Sequence, residues 1–360
     1  PARRSGPRVR RRAGGALTRG RRPIHPSPAF DWHMSAAWIA DPPAILLLAL
    51  AIDALAGDMR PVFRYLPHPV VAIGGLVAFL DRRLNRETRS FNDRRLRGIA
   101  CVAFVAGLAF GLGWLVHLVL VHARWGWAAE ALAIGILVAQ RSLRDHVAAV
   151  GAALAQDGLE AGRRAVAHVV GRDPQTLDAH GVARAAIESL VENFGDAVVA
   201  PVFWYLLLGL PGVLALKAVN TMDSMIGHRT PRHRAFGEAA ARLDTAVMFL
   251  PARIAALCIV VAAAIVPGGR PVAALRTMLR DARRHRSFNA GWPEAAGAGA
   301  LGLALSGPRR YHGEPSDEPW VGDGRARATP DDIERACRLF VVACLVHAAL
   351  AATYLVVFRA

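Results

Sequence analysis

Three long apolar runs constrain this chain more than any other feature. Residues 98–121 and 339–358 each contain one histidine and no charged residue, and residues 197–216 contain no charge at all. About 20 helical residues cross a hydrocarbon core of roughly 30 Å. The sequence therefore predicts an all-α, multi-pass integral membrane protein, with the lipid bilayer as a partner.

The net charge of +16 is carried mainly by arginines outside these runs. Residues 1–33 hold nine arginines and one aspartate, half of the excess, without the apolar core of a signal peptide. We expect this leader to be disordered and the working protein to begin near Met34, with 34–360 as one membrane-embedded domain. The other arginines lie between apolar runs, as in cytoplasmic loops, so no nucleic-acid partner is expected.

The segments around the main spans have distinct patterns. We expect a short membrane helix over 36–56, a polar region with turns at 66–69 and 73–75 over 57–97, and a return segment over 128–140. Residues 141–184 alternate polar and apolar positions at helical spacing, which predicts amphipathic cytoplasmic helices packed on the membrane domain. The apolar positions of the first of these are Leu143, Val147, Val150 and Leu154.

The segment 186–227 predicts a broken-helix hairpin buried in the protein. The sequence Gly209-Leu210-Pro211-Gly212 divides its apolar middle into two pieces too short to span a membrane separately. A turn near residue 210 makes Asp196 and Asp223 nearly equidistant from it, so polar groups of both arms should meet.

Three other regions are less specific. The run 246–266 contains Pro251 and Arg253 and is flanked by arginine-rich segments, which leaves its topology unresolved. A Gly/Pro/acid-rich loop over 307–332 should end at Thr329, the N-cap of the last helix. The four cysteines lie in apolar segments without metal-ligand spacing, which indicates core thiols.

Lys217 is the only lysine among 44 basic residues. An ammonium is a compact charge suited to a phosphate oxygen, whereas a guanidinium is a rigid fork. Its neighbours Asn220 and Asp223 lie on the same helical face. We predict that Lys217 contacts a phosphate group, the alternative being an ion pair with Asp223 that holds the hairpin together.

The first arm of the hairpin carries carboxylates on one face, at Glu188, Glu192 and Asp196, with Asn193 beside them. Like charges at this spacing repel one another unless a cation lies among them. Mg²⁺ is held by one or two carboxylates together with substrate phosphates. We therefore predict Glu192, Asp196 and Asp223 as magnesium ligands, a structural ion-pair cluster being the alternative.

Further candidates for ligand binding lie downstream of the hairpin. Arg253 lies inside an apolar run and needs a carboxylate, an anionic ligand or a route to the interface. Polar and aromatic residues near 290 suggest a flap over a large polar ligand. The candidate substrate-binding residues are Asn193, Asn220, Arg242, Arg253, Asn289, Trp292 and Glu294.

Gly297 to Gly302 matches the dinucleotide-binding pattern G-x-G-x-x-G, but no β-strand pattern precedes it. Small-residue helix packing explains these glycines better.

The ordered motifs resemble one known family, the adenosylcobinamide-phosphate synthases of cobalamin biosynthesis (CobD/CbiB type). The resemblance runs through most of the chain after Met34 and is strongest at residues 217–227, Lys-Ala-Val-Asn-Thr-Met-Asp-Ser-Met-Ile-Gly. One departure is Val71-Ala72, where the family usually has Arg-Trp. Other matching strings begin at Asp53, Pro67, Val170, Glu188, Glu192, Ala241, Leu250, Arg280, Ser287, Trp292, Gly307 and Gly322.

The resemblance implies an ATP-dependent ligase of the inner membrane, with its active site on the cytoplasmic side. The family joins aminopropanol phosphate to a propionate of adenosylcobyric acid as an amide, and other corrinoid-pathway enzymes are further expected partners. In this reaction we assign Glu192, Asp196 and Asp223 to Mg²⁺. Lys217 with Arg242 or Arg253 would hold phosphate, and Asn193 and Asn220 would orient substrate amides. A transporter and a non-catalytic subunit of the corrinoid pathway are the alternatives.

Overall fold

The computed structural model describes residue 2 and residues 42–57, 69–170, 174–311 and 314–359. Apart from residue 2, the predicted leader lies outside these ranges. So do Asp58, Pro67 and His68 of the N-terminal motifs, and residues 171–173 of the string that begins at Val170. The expectation about where the working protein begins therefore stays a prediction.

Within those ranges the chain is almost entirely helical, which confirms the all-α class. The helices are α1 (Pro42–Ala56), α2 (Pro69–Leu84), α3 (Phe91–Val121), α4 (Gly126–Leu137), α5 (Gln140–Gln156), α6 (Leu159–Val166), α7 (Ala179–Asn193), α8 (Ala200–Ile226), α9 (Glu238–Val247), α10 (Phe249–Ile265), α11 (Pro271–Asp281), α12 (Gly291–Leu301) and α13 (Pro330–Arg359). Short 3₁₀ turns occur at Pro174–Thr176 and Ala282–Arg284, and a π-helical segment at Phe194–Val199.

Residues 179–226 fold back on themselves at Gly209. This glycine has a φ of 66°, a conformation that residues with a Cβ avoid, and it interrupts α8. A Cβ atom at Gly212 would lie 2.7 Å from the carbonyl oxygen of Trp204, so the two arms meet backbone to backbone. Ala200 and Leu216 also share one small buried cluster. The predicted hairpin is confirmed.

The long helix α3 packs along the second arm of the hairpin. At its start the hydroxyl of Ser90 accepts a hydrogen bond from the Asp93 amide. Gly113 lies so close to the hairpin turn that a Cβ there would come 2.6 Å from the Cα of Pro211. Buried side chains of α2, α3 and the second arm form one of the two main cores, which includes Val77, Val105, Val219 and Met222.

The larger core is built around α7 and the first arm. Residues 181–191 are almost wholly buried because α5, α6, α12 and α13 all pack against α7. α5 buries Val147, Val150 and Leu154, which confirms its predicted apolar face. The free cysteines Cys101, Cys258, Cys337 and Cys344 are all buried, as expected of core thiols.

Two local expectations were wrong. The segment Ile73-Gly74-Gly75, predicted as a turn, lies in the middle of α2. A Cβ added at Gly75 would have no neighbour within 4 Å, and one added at Gly74 would meet only the side chains of Met225 and Thr221. The region predicted as a loop over 307–332 contains short antiparallel strands. They are β2 (Arg309–Tyr311), which pairs with β3 (Glu314–Ser316), and β4 (Trp320–Val321), which pairs with β1 (Leu305–Ser306) just before the region.

By length and composition, three segments of the described chain could cross a membrane: Phe91–Val121, Ala179–Ile226 and Pro330–Tyr354. The second of these reverses at Gly209, so its full length is not available for one crossing. α9 and α10 together would make a fourth span, bent by 46° between Val247 and Phe249. That bend lies where the sequence left the topology unresolved. The protein is a multi-pass membrane protein.

Candidate active site

The hairpin places the single lysine among carboxylates from different elements. The Lys217 ammonium on the second arm interacts electrostatically with Asp196 of the π-helical segment and with Asp53 of α1. Within the described residues it forms no salt bridge shorter than the usual 4 Å limit. The alternative of a direct Lys217–Asp223 pair is therefore not what holds the arms together.

Asp196 lies at the centre of a cluster of acids. It interacts electrostatically with Glu192 one turn earlier, with Asp223 on the second arm and with Asp244 on α9. The π-helical turn that carries Asp196 adds one residue to the helical repeat and so changes which side chains face the second arm. The two arms of the hairpin and α9 thus contribute carboxylates to one cluster.

The second arm supplies an amide and a further acid to this cluster. Asn220 Nδ2 donates a 2.7 Å hydrogen bond to Asp244 Oδ1, which ties α8 to α9. The carboxylate of Asp223 folds over the end of α8, where a Cβ on Gly227 would lie 2.0 Å from its Oδ1. Only glycine fits at residue 227 while Asp223 keeps this position.

The acid cluster gathers several carboxylates near Lys217. Asp196 interacts electrostatically with three other carboxylates and with the Lys217 ammonium, and His228 interacts with Asp223. Within the described chain, no group of three or more His, Cys, Asp or Glu side chains is close enough to hold a metal ion unaided. The donor set suits Mg²⁺ held partly by substrate phosphates, since this ion commonly takes only one or two protein carboxylates.

Asp53 and Asp244 belong to the cluster, although the sequence did not assign either of them to the hairpin site. Asp53 is 2% exposed and accepts a 2.8 Å hydrogen bond from the backbone amide of Gln140, which joins α1 to α5. A carboxylate inside an apolar helix is costly unless it is used, and this signal could have identified Asp53. Asp244 could be placed only once the fold brought α9 beside α8.

Two of the predicted acids and amides have other partners. Asn193 Nδ2 donates to the backbone oxygen (2.8 Å) and to the hydroxyl (3.1 Å) of Ser189 on its own helix. Glu188 Oε1 accepts from the backbone amide of Ser306 at 2.8 Å, so this acid supports strand β1. Glu188 is therefore directed away from the role that its spacing with Glu192 suggested.

Arg253 lies in a cage of aromatic rings. Its guanidinium carbon is 3.9 Å from the ring centre of Phe249, 4.8 Å from that of Phe288 and 4.7 Å from that of Trp292. Its Nη1 donates to Asn289 Oδ1 at 2.6 Å, and Asn289 Nδ2 donates to the backbone of Thr245. No carboxylate of the described residues pairs with Arg253. The partners of Arg253 are therefore three aromatic rings and the Asn289 amide. The sequence had predicted a carboxylate or an anionic ligand in their place.

The remaining candidates are separate from this cage. Glu294 is buried, accepts from the hydroxyl of Ser306 at 3.2 Å and lies 3.4 Å from His285 Nε2. Arg242 is exposed and pairs with Glu238 one turn earlier at 2.5 Å. The glycines of the G-x-G-x-x-G pattern pack against neighbouring helices, as expected: a Cβ on Gly297 would lie 2.9 Å from Val191.

Comparisons with known proteins agree on one family. The family model described as CobD/Cbib protein matches residues 46–340. The chain is 48% identical over 308 residues to the cobalamin biosynthesis protein CobD of Sinorhizobium sp, covering 84% of this chain and 95% of that protein. It is 46% identical over 301 residues to the CobD protein of Brucella anthropi (82% and 91% covered) and 44% identical over 301 residues to that of Rhodobacter capsulatus (82% and 92% covered). No solved structure matches the chain.

Proposed function

Because the chain belongs to the CobD/Cbib family of cobalamin biosynthesis proteins, we propose that it is the ligase that forms the aminopropanol amide of the corrinoid. The acceptor would be a propionate of adenosylcobyric acid, the amine would be aminopropanol phosphate, and ATP would drive the reaction. The observation that carries this proposal is the meeting of Lys217 with the carboxylate cluster at the hairpin.

The chemistry of amide formation explains why such a site is needed. A carboxylate is a poor electrophile, so one of its oxygens must first attack a phosphorus atom of ATP, with release of ADP for attack at the γ-phosphorus or of pyrophosphate for attack at the α-phosphorus. The amine then attacks the activated carbonyl carbon, the bond to the phosphate oxygen breaks, and the amine loses a proton to a base. Both steps move negative charge on phosphate oxygens, which cations must stabilise.

The residues of the cluster match these requirements. Lys217 supplies a positive charge next to acids, where it can contact a transferring phosphate without being locked in a salt bridge. One or two of the predicted ligands Glu192, Asp196 and Asp223 would hold Mg²⁺ together with the phosphates, and this ion would neutralise charge on them. Asn220, whose amide is fixed by Asp244 at 2.7 Å, would keep the cluster ordered during the reaction.

The distribution of arginines supports a cytoplasmic site in the inner membrane. The start of α3 and the segment after α8 lie at the same end of the bundle, since a Cβ on Gly98 would lie 2.0 Å from the backbone oxygen of Phe236. This end carries Arg94, Arg95 and Arg97 and the arginines of residues 229–242, whereas the loop after α3 carries only Arg124. Arginine-rich ends of membrane helices face the cytoplasm.

The proposal is tested by reconstituting the reaction with purified protein in detergent. Adenosylcobyric acid, aminopropanol phosphate, ATP and Mg²⁺ should together give the amide, detected by its mass, and omission of any one should abolish it. Separating the nucleotide products would then identify the intermediate, because ADP indicates an acyl phosphate and AMP an acyl adenylate. Absence of the amide under all conditions, from a protein that remains folded, would refute the proposal.

A further inference from the structure

A basic cleft lies beside the open end of the hairpin. Its volume is about 820 Å³, within the range of roughly 300–1,000 Å³ typical of small-molecule sites. Three separate parts of the chain line it: the start of α3, the segment after α8, and α9. Its basic residues are Arg95, His228, Arg229, His233, Arg234 and Arg242.

The positive charge of this cleft is only partly neutralised. Glu238 is the single acid in its lining, and its two carboxylate oxygens are both occupied, by Arg95 Nε at 2.9 Å and by Arg242 Nη2 at 2.5 Å. Arg229 and Arg234 are exposed and form no salt bridge with any described residue. The four arginines and one glutamate leave a net charge of +3 with both histidines neutral.

The cleft adjoins the acid cluster of the candidate active site. Gly227 lines the cleft and touches the Asp223 carboxylate, and His228 interacts electrostatically with Asp223. Thr245, at the other side of the cleft, directly follows Asp244. The alternative is that these residues form only a solvated arginine loop beside the membrane. Such a loop would explain the positive charge, but it would not explain a concave cleft formed by three segments next to the acid cluster.

We propose that this cleft binds the polyphosphate chain of the nucleoside triphosphate. The inference rests on the proposed function, since it assumes that a nucleotide drives the reaction. Guanidinium groups form forked hydrogen bonds to phosphate oxygens, and several of them from different directions suit a polyanion better than a single phosphate ester. Phosphates held there would lie next to the carboxylates expected to share Mg²⁺ with them.

The test measures binding without turnover, by equilibrium dialysis of labelled ATP against the purified full-length protein in a neutral detergent. Tripolyphosphate should compete with ATP and adenosine should not. Arg229→Gln and Arg234→Gln should each weaken ATP binding about tenfold and reduce its dependence on salt. Arg276→Gln, which removes an exposed arginine of α11 outside the cleft, should bind ATP like the wild type.

The outcomes separate this inference from the proposed function. If both cleft variants bind ATP like the wild type, the inference is overturned even when the amide forms. If ATP binding depends on the cleft arginines but no amide forms, the cleft assignment stands and the ligase proposal fails. The same variants are titrated with labelled aminopropanol phosphate and with phosphatidylglycerol nanodiscs. If the variants bind aminopropanol phosphate or phosphatidylglycerol more weakly but bind ATP like the wild type, the assignment of the cleft to a nucleotide is overturned.

Discussion

Asp281 shows how one carboxylate fixes a loop over the body of the protein. It is 2% exposed, accepts a 3.0 Å hydrogen bond from the backbone amide of Gly322 and pairs with Arg280 at 2.6 Å. Gly322 has a φ of 90°, and a Cβ there would lie 2.4 Å from the backbone oxygen of Leu303. The carboxylate and the glycine together hold strand β4 against α11.

This arrangement predicts a loss of stability in acid. The hydrogen bond from the Arg280 side chain, above all, lowers the pKa of Asp281 from its ordinary value of about 3.9. A lowered pKa means that the folded state favours the ionised form. Its contribution to the free energy of unfolding is therefore complete above the unfolded pKa and is lost as the pH falls through the folded one.

The measurement is thermal unfolding in detergent, from about pH 6 to about pH 2, for the wild type and for Asp281→Asn. At neutral pH the variant should be less stable by about 2 kcal/mol, because the hydrogen bonds to a charged acceptor are weakened. Its stability should then depend less on pH than that of the wild type in the acid range. Parallel curves for the two proteins would show that Asp281 does not contribute in this way.

At the scale of residues, the sequence predicted Lys217, Asp196 and Asp223 because charges beside apolar runs are conspicuous. Asp53 stands out in the sequence as a carboxylate inside an apolar helix, but placing Asp53 and Asp244 beside the hairpin required the fold, since no spacing in the sequence relates α1 or α9 to the hairpin. Arg253 was correctly seen to need partners, but aromatic rings at positions 249, 288 and 292 can be recognised as a cage only in three dimensions.

At the scale of elements, the hairpin depends on close backbone contacts that only glycine permits. α3 meets the turn of the hairpin at Gly113, where a Cβ would lie 2.6 Å from the Cα of Pro211. Six and two residues earlier in α3, Gly107 and Gly111 lie on its open side, where an added Cβ would have nothing within 4 Å. The same helix therefore offers a critical glycine and matched controls.

We predict that Gly113→Ala destabilises the protein by about 1–3 kcal/mol, because the added methyl group pushes α3 away from the hairpin. Gly111→Ala should be neutral or slightly stabilising, since alanine favours a helix and meets no neighbour. Thermal unfolding of both variants in the same detergent checks this. Equal stability of the two would contradict the close packing of α3 on the turn.

Regular elements were predicted better than local irregularities. Gly209, Pro211 and Gly212 predicted the hairpin because glycine and proline stop a helix in an apolar run. The π-helical turn at Phe194–Val199 has no such signal, although it decides the direction of Asp196. Gly74 and Gly75 resemble turn residues, but packing of α2 on the second arm overrides their weak helix propensity.

At the scale of the whole molecule, α3 runs from a basic end, beside the segment after α8, to an end whose following loop carries only Arg124. If the basic end faces the cytoplasm, a cysteine in place of Arg124 should be labelled by a membrane-impermeant thiol reagent added to intact cells with a permeable outer membrane. A cysteine in place of Arg86 should be labelled only after the inner membrane is opened. The native cysteines are buried and provide a low background.

The reverse labelling pattern would place the basic end outside the cytoplasm, where nucleotide is scarce, and would contradict a nucleotide-dependent reaction there. Labelling of both sites in intact cells would indicate that the chain inserts in two orientations. The two positions are matched, because each replaces an exposed arginine in a connection between helices.

The most direct test of the account is the rate of amide formation by Lys217→Met compared with the wild type. Loss of a positive charge that stabilises the transferring phosphate should lower the rate at least about 100-fold, while the unfolding temperature stays close to that of the wild type. Lys217→Arg should recover little activity, because a guanidinium does not replace a compact ammonium in a half-buried site. Amide formation by Lys217→Met at the wild-type rate would show that the hairpin does not place this lysine in the active site.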